Sequence, residues 1–178
     1  MTEASPVRRL DGFVGRYDPD VARIARRALK TMRIRLPGAV ALVYDNYNAL
    51  AVAFGPSERT SESVFSITLY PRWVSLFFTR GAELPDPERL LRGSGNVMRH
   101  LVLDDAATLD RPAVRALMTA ALAQTPRPID RTAPSRIVIK SVSARQRPRS
   151  ATAPKGAPVT SRGPTGGRRA RPSRGARP

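Results

Sequence analysis

The chain is 178 residues long and carries 31 Lys/Arg against 14 Asp/Glu, a net charge of +17, with no cysteine and one histidine. That length suits one domain with extensions and a real hydrophobic core. The composition excludes disulfides, thiolate metal sites, cysteine nucleophiles and multi-histidine metal cages, and the absence of any apolar run near membrane-span length predicts a cytoplasmic protein with no membrane partner.

Residues 1–17 are short, polar and glycine-containing, and predict a flexible, loosely docked arm. The folded domain is expected over residues 18–143. Asp18-Pro19-Asp20 opens its first helix: Asp18 as N-cap, Pro19 at the first helical position, Asp20 at the positive end of the dipole. Val21, Ile24, Ala28, Leu29 and Met32 follow at helical spacing, while Arg23, Arg26, Arg27, Lys30 and Arg33 cover the remaining surface. That basic face is either a solvated surface or an anion-binding one. Pro37-Gly38 ends the helix.

Residues 39–43 are too short to assign with confidence from pattern and predict a helical turn. The turn formers of 44–48, with Asn46 and Tyr47, lead into a strand over 49–54, where Leu50, Val52 and Phe54 alternate with alanines. Next comes the most legible part of the sequence, SESVFSITLYPRWVSLFFTR at 61–80. Two period-two stretches flank Tyr70-Pro71-Arg72, which predicts a hairpin. One face, with Phe65, Ile67, Leu69, Val74, Leu76 and Phe78, is wholly apolar. The other carries Ser66, Thr68, Tyr70, Trp73, Ser75 and Phe77.

A long irregular stretch, 81–96, is punctuated by prolines and glycines. Its Gly93-Ser94-Gly95-Asn96 precedes a strand rather than a helix, so it lacks the context of a phosphate loop and predicts a turn. A fourth strand spans 98–103, placing His100 on the mixed face. Asp110 is expected to cap a second helix with Val114, Leu117, Met118, Ala121 and Leu122 buried, and 136–140 predicts a short fifth strand. From about residue 144 the chain is Arg, Pro, Gly, Ala, Ser and Thr without apolar anchors, a composition that cannot offset its ordering entropy and predicts a disordered tail, 144–178. From Arg145 onward it holds ten Lys/Arg and no acid, leaving 21 against 14 elsewhere, so it supplies more than half of the net charge. Arg145, Arg147, Arg149, Arg168, Arg169 and Arg171 are its candidate polyanion contacts. The whole predicts an α+β two-layer sandwich: an antiparallel sheet of four to five strands with two main helices on one face.

Three blocks, PGAVALVYDNYNALAVAFGP at 37–56, FSITLYPRWVSLFF at 65–78 and GSGNVMRHLVLDDAATLD at 93–110, resemble the YdhG-like family in order and spacing. That is a large bacterial family of small domains, mostly of unknown function. The resemblance covers roughly 18–143 and implies a compact α+β domain, with a frataxin-like role in iron handling for some members. It also implies a basic residue in the loop before the fourth strand, a part open to Arg92 or Arg99. Frataxin-type iron binding uses an acidic ridge of hard oxygen ligands; the corresponding helix here is covered with arginine, which repels a cation. No metal site and no cofactor are expected.

The residues show no enzyme signature: His100 has no carboxylate or serine in triad spacing beside it, and Asp104-Asp105 reads as strand-end solvation. The mixed face is the leading candidate. Tyr70, Trp73, Phe77 and His100, with Arg99, Asn46 and Tyr47 near them, form either a base-stacking surface, a homodimer contact, or an interior under the 44–48 and 81–96 segments that closes into a ligand pocket. The expectation is a non-catalytic binding domain that associates with polyanions, nucleic acid first. The alternative is a small-ligand or iron-handling domain.

Overall fold

The computed structural model describes residues 4–150, an α+β fold of three α-helices and a six-stranded mixed sheet. The N-terminal segment is not a loose arm. It forms α1 (Pro6–Val14), with Pro6 in its first turn and the Ser5 side chain accepting from the Arg8 N–H, and it buries Leu10 and Val14. Helix α2 (Pro19–Arg35) begins where the sequence predicts, with Asp18 at its N-cap position but making no side-chain capping bond, and Val21, Ala25, Ala28, Leu29 and Met32 form its buried stripe. Alanines in that stripe let the helix lie close to the sheet.

The strands are β1 (Val40–Asp45), β2 (Leu50–Gly55), β3 (Phe65–Leu69), β4 (Val74–Phe78), β5 (Arg99–Leu103) and β6 (Arg136–Val142), in the spatial order β5-β4-β3-β2-β1-β6. The first five make an antiparallel meander; β6 then pairs with β1 in parallel. A parallel neighbour needs a long crossover, and α3 (Pro112–Ala123) lies within it. The sheet thus has six strands and mixed pairing, against the expected four or five antiparallel ones. The extra strand is β1, where a helical turn was expected. Its run Val40-Ala41-Leu42-Val43 is buried throughout, and a strand covered on both faces loses the alternation that would reveal it.

All three helices pack on one face. Their buried residues join Ala41, Val43, Leu50, Val52, Phe54, Phe65, Ile67, Leu69, Val74, Leu76, Phe78, Leu101 and Leu103 in a single core. Burying a side chain of this size contributes about 1.5–3 kcal/mol, so this face holds most of the folding energy. Gly38 closes the α2–β1 turn at φ 80°, where an added Cβ would stand 1.8 Å from the Asp130 carbonyl oxygen. Asp110, expected to cap α3, instead ion-pairs with Arg35, and Arg111 occupies the cap position without a side-chain cap bond. No described helix is long and apolar enough to cross a membrane.

The second face is divided. Over β6, β1 and β2 a small satellite core of Val40, Leu42 and Ala53 packs with Tyr44 and Val138. The loop after β2 lies against this half: Tyr44 Oη bonds Thr60 Oγ1, Arg136 pairs with Glu58 at 3.1 Å, and Lys140 Nζ donates to the Glu58 carbonyl at 3.4 Å. Over β3, β4 and β5 no helix is laid among the described residues.

Candidate functional site

The β3–β4 hairpin forms as its alternation predicts, closed by the Tyr70 N–H donating to the Trp73 carbonyl at 2.9 Å. Register then fixes the second face. Thr68 pairs with Ser75, Ser75 with Val102, and Phe77 with His100. Two aromatic pairs result. Tyr70 stacks on Trp73 with centroids 5.0 Å apart and planes at 27°, and Phe77 stacks on His100 at 4.9 Å and 26°. Trp73 to Phe77 is four residues along one strand, or about 13 Å. Between the pairs lie Thr68 and Ser75, both buried; the Ser75 hydroxyl has no hydrogen-bond partner among the described residues.

Trp73 is 44% exposed, Val102 and Met98 are exposed as well, and Tyr70, Phe77 and His100 are half-buried. The aromatics are therefore not core. Partial burial of Tyr70 pushes its phenol pKa up. The 81–96 segment does not roof them: Leu84, Leu90 and Leu91 join the helix-side core, while Arg92 bridges to His100 at the β5 edge. The closed aromatic pocket is thus not formed by these residues.

Three of the residues expected beside the aromatics are engaged elsewhere. Arg99 pairs with Phe78 across the ladder, so it alternates away from His100, and its guanidinium donates to the carbonyls of Gly95 and Met98. Asn46 and Tyr47 meet the C-terminal segment instead. The Asn46 carbonyl accepts from Arg149, and the Arg147 guanidinium lies 5.8 Å from the centre of the Tyr47 ring.

That segment corrects the tail boundary. Residues 143–150 run across the β1–β2 end of the sheet: the Ser143 N–H donates to the Asp45 carbonyl at 2.8 Å and the Arg147 N–H to the Tyr47 carbonyl at 2.9 Å. Arg149 is buried, donating to Asp45 Oδ1 at 2.7 Å, with its guanidinium 5.5 Å from the centre of the Tyr17 ring. Asp45, itself buried, also takes Arg16 and the Gln146 side-chain amide, the latter at 2.6 Å. Tyr17 Oη donates to the Leu69 carbonyl at 3.2 Å and accepts the Leu50 N–H at 2.9 Å; burial pushes its pKa up to about 12, against the opposing pull of Arg149. Arg145 is exposed, and Arg168, Arg169 and Arg171 lie outside the described residues.

The basic face of α2 is largely answered from within. Arg23 and Arg27 reach Asp105 at 3.4 and 3.5 Å, and Arg26 reaches Asp11 at 2.7 Å. The Ala107 backbone N–H, then Arg27 and Arg23, hold the Asp105 carboxyl below its usual range. Lys30 and Arg33 form no ion pair among the described residues. Acidic side chains are dispersed, and the described residues contain no group of three or more His, Cys, Asp or Glu placed to hold a metal.

A feature that composition did not isolate is a cleft of about 370 Å³ at the β5 edge, lined by Arg89, Arg92, Leu101, Val102, Asp104 and Arg111 among others. Its arginines come from two separate segments, Arg89 and Arg92 from the loop before β5 and Arg111 from the start of α3, so no single local motif announces it.

Comparison with protein-family models, curated proteins and solved structures yields no match.

Proposed function

We propose that this is a non-catalytic, YdhG-like binding domain that associates with nucleic acid, taking single strands across the β3–β4–β5 half of the sheet. The observation that carries the reading is the pair of aromatic stacks, Tyr70–Trp73 and Phe77–His100, on a sheet face over which no described helix lies. Bases stack on such platforms without regard to sequence, because every base has a π face. Arg72 beside Trp73, Arg92 beside His100 and the net charge of +17 supply the attraction for phosphates. This moves the expected contact away from α2, where Arg23, Arg26, Arg27 and Arg35 already hold carboxylates.

The test is titration of the full chain with a single-stranded oligothymidylate while following Trp73, the only tryptophan. Emission is expected to change on binding. Trp73→Ala and Phe77→Ala are each expected to weaken binding by about 1–3 kcal/mol for the lost stack, with urea unfolding showing both variants folded. Unaltered affinity in both variants would reject the stacking surface. If Trp73→Ala also lowered the sedimentation coefficient, the face would be a homodimer contact instead.

A further inference from the structure

We infer that the cleft at the β5 edge is a phosphate-binding site formed by Arg89, Arg92 and Arg111. The three arginines line one cleft, and none of their guanidinium groups makes an ion pair or side-chain hydrogen bond among the described residues. That sets them apart from Arg16, Arg23, Arg26, Arg35 and Arg80, each of which has a carboxylate within ion-pair distance. Asp104 is the one carboxylate in the lining, and it pairs with none of them. Three positive charges against the single carboxylate of Asp104 leave the cleft net positive, and a bound anion relieves their mutual repulsion. Guanidinium forks match phosphate oxygens bidentately, which favours phosphate over a simple halide.

Their placement is built rather than incidental. Arg89 sits at φ 52°, in the left-handed region that side-chain-bearing residues avoid. The turn is held by Asp86, whose carboxylate accepts the N–H groups of Leu90 and Leu91 at 2.9 and 2.8 Å and whose carbonyl accepts that of Arg89 at 3.1 Å. Arg92 exchanges two backbone hydrogen bonds with His100, at 2.8 and 2.9 Å. Arg111 is fixed by the start of α3.

The cleft also joins the sheet face. Val102, in its lining, pairs with Ser75 at the centre of that face, and the Arg92 backbone bridges that of His100, whose ring stacks on Phe77. A strand whose bases lie on the aromatic pairs would carry its phosphates past the β5 edge. This link to a nucleic-acid strand rests on the proposed function; the phosphate site itself rests only on the cleft.

The experiment has two arms on the full chain, each comparing the native protein with Arg89→Gln/Arg92→Gln/Arg111→Gln. All three side chains are exposed, so the variant is expected to fold, which its urea unfolding checks. In the first arm, oligothymidylate binding is measured against salt. Three lost phosphate contacts are expected to flatten the log–log slope by roughly 2, at about 0.7 each for single strands. In the second, inorganic tripolyphosphate is expected to raise the Tm of the native protein and not that of the variant. Loss in both arms identifies a nucleic-acid backbone site. Loss in the second alone supports the site with a free phosphorylated molecule as its ligand, and counts against the nucleic-acid reading. A variant that matches the native protein in both arms, or a native protein that responds in neither, overturns the inference. Trp73→Ala in the first arm separates the two claims, since a failed stacking surface leaves the salt-slope difference intact.

Discussion

Tyr17, Asp45 and Arg149 meet from three distant parts of the chain, and each makes the others tolerable. A buried carboxylate is costly unless paired and hydrogen-bonded. Asp45 has Arg149, Arg16 and Gln146 on its oxygens, and Arg149 lies over the Tyr17 ring. Removing one partner of a buried pair leaves the other charge stranded. Arg149→Ala is therefore expected to destabilise the fold by about 2–4 kcal/mol in urea unfolding, somewhat less than a sole partner would cost because Arg16 and Gln146 remain. Tyr17 offers a pH test. Its folded pKa of about 12 lies above the ordinary 10, so the protonated phenol is stabilised on folding. That contribution is complete below pH 10 and is lost as pH rises through 12. Two units correspond to roughly 2–3 kcal/mol, of which about 2 falls between pH 10 and 12. The native protein is expected to lose that much relative to Tyr17→Phe between pH 10 and 12. Tyr17→Phe is itself less stable at neutral pH, because the Leu50 N–H loses its acceptor. A constant difference across that range would refute the assignment.

At the scale of elements, the hairpin was legible because one of its faces is core and the other is not, so strict alternation survives in its sequence. Helix α2 was legible for the same reason. The strand β1 was not, since its two faces are both covered, and α1 was not, since it is only nine residues long and carries a glycine near its end. Residues 143–150 were the least legible of all. Their composition is that of a disordered tail, and only the carboxylate of Asp45 and the ring of Tyr47 give their arginines somewhere to go. Chain length should therefore matter in a stepwise way. Ending the protein after Ser143 is expected to lower its Tm, because Gln146 and Arg149 go with the removed segment. Ending it after Ser150 is expected to leave Tm unchanged. Equal melting of the two shortened proteins would show that the docked segment contributes nothing.

For the whole molecule, charge is partitioned by its neighbours. Arginines on α2 face Asp11 and Asp105 and are partly neutralised, whereas Arg89, Arg92 and Arg111 at the β5 edge form no ion pair among the described residues. Seven Lys/Arg and no acid follow Ser150. On duplex DNA each phosphate contact contributes about −0.9 to the slope of log affinity against log salt, so five contacts would give roughly −4 to −5. The protein ended after Ser150 is expected to lose most of that slope on duplex while keeping its Trp73 response to single strands. Identical salt slopes for the full and shortened chains would exclude the C-terminal arginines from binding.

The sequence by itself determined the α+β class, the hairpin, the helix-side core and the mixed aromatic face, because each follows from local periodicity and from the chemistry of neighbouring residues. It left open which half of that second face is covered, which arginines are spent on carboxylates, and where β6 returns. Those depend on contacts between residues far apart in the chain, such as Glu58 with Arg136, Arg27 with Asp105, and Asp45 with Arg149. Charge counts carry no information about such pairings. Only the tertiary structure brings Arg111 to the cleft beside Arg89 and Arg92, because the meeting of the loop before β5 with the start of α3 has no signature in either.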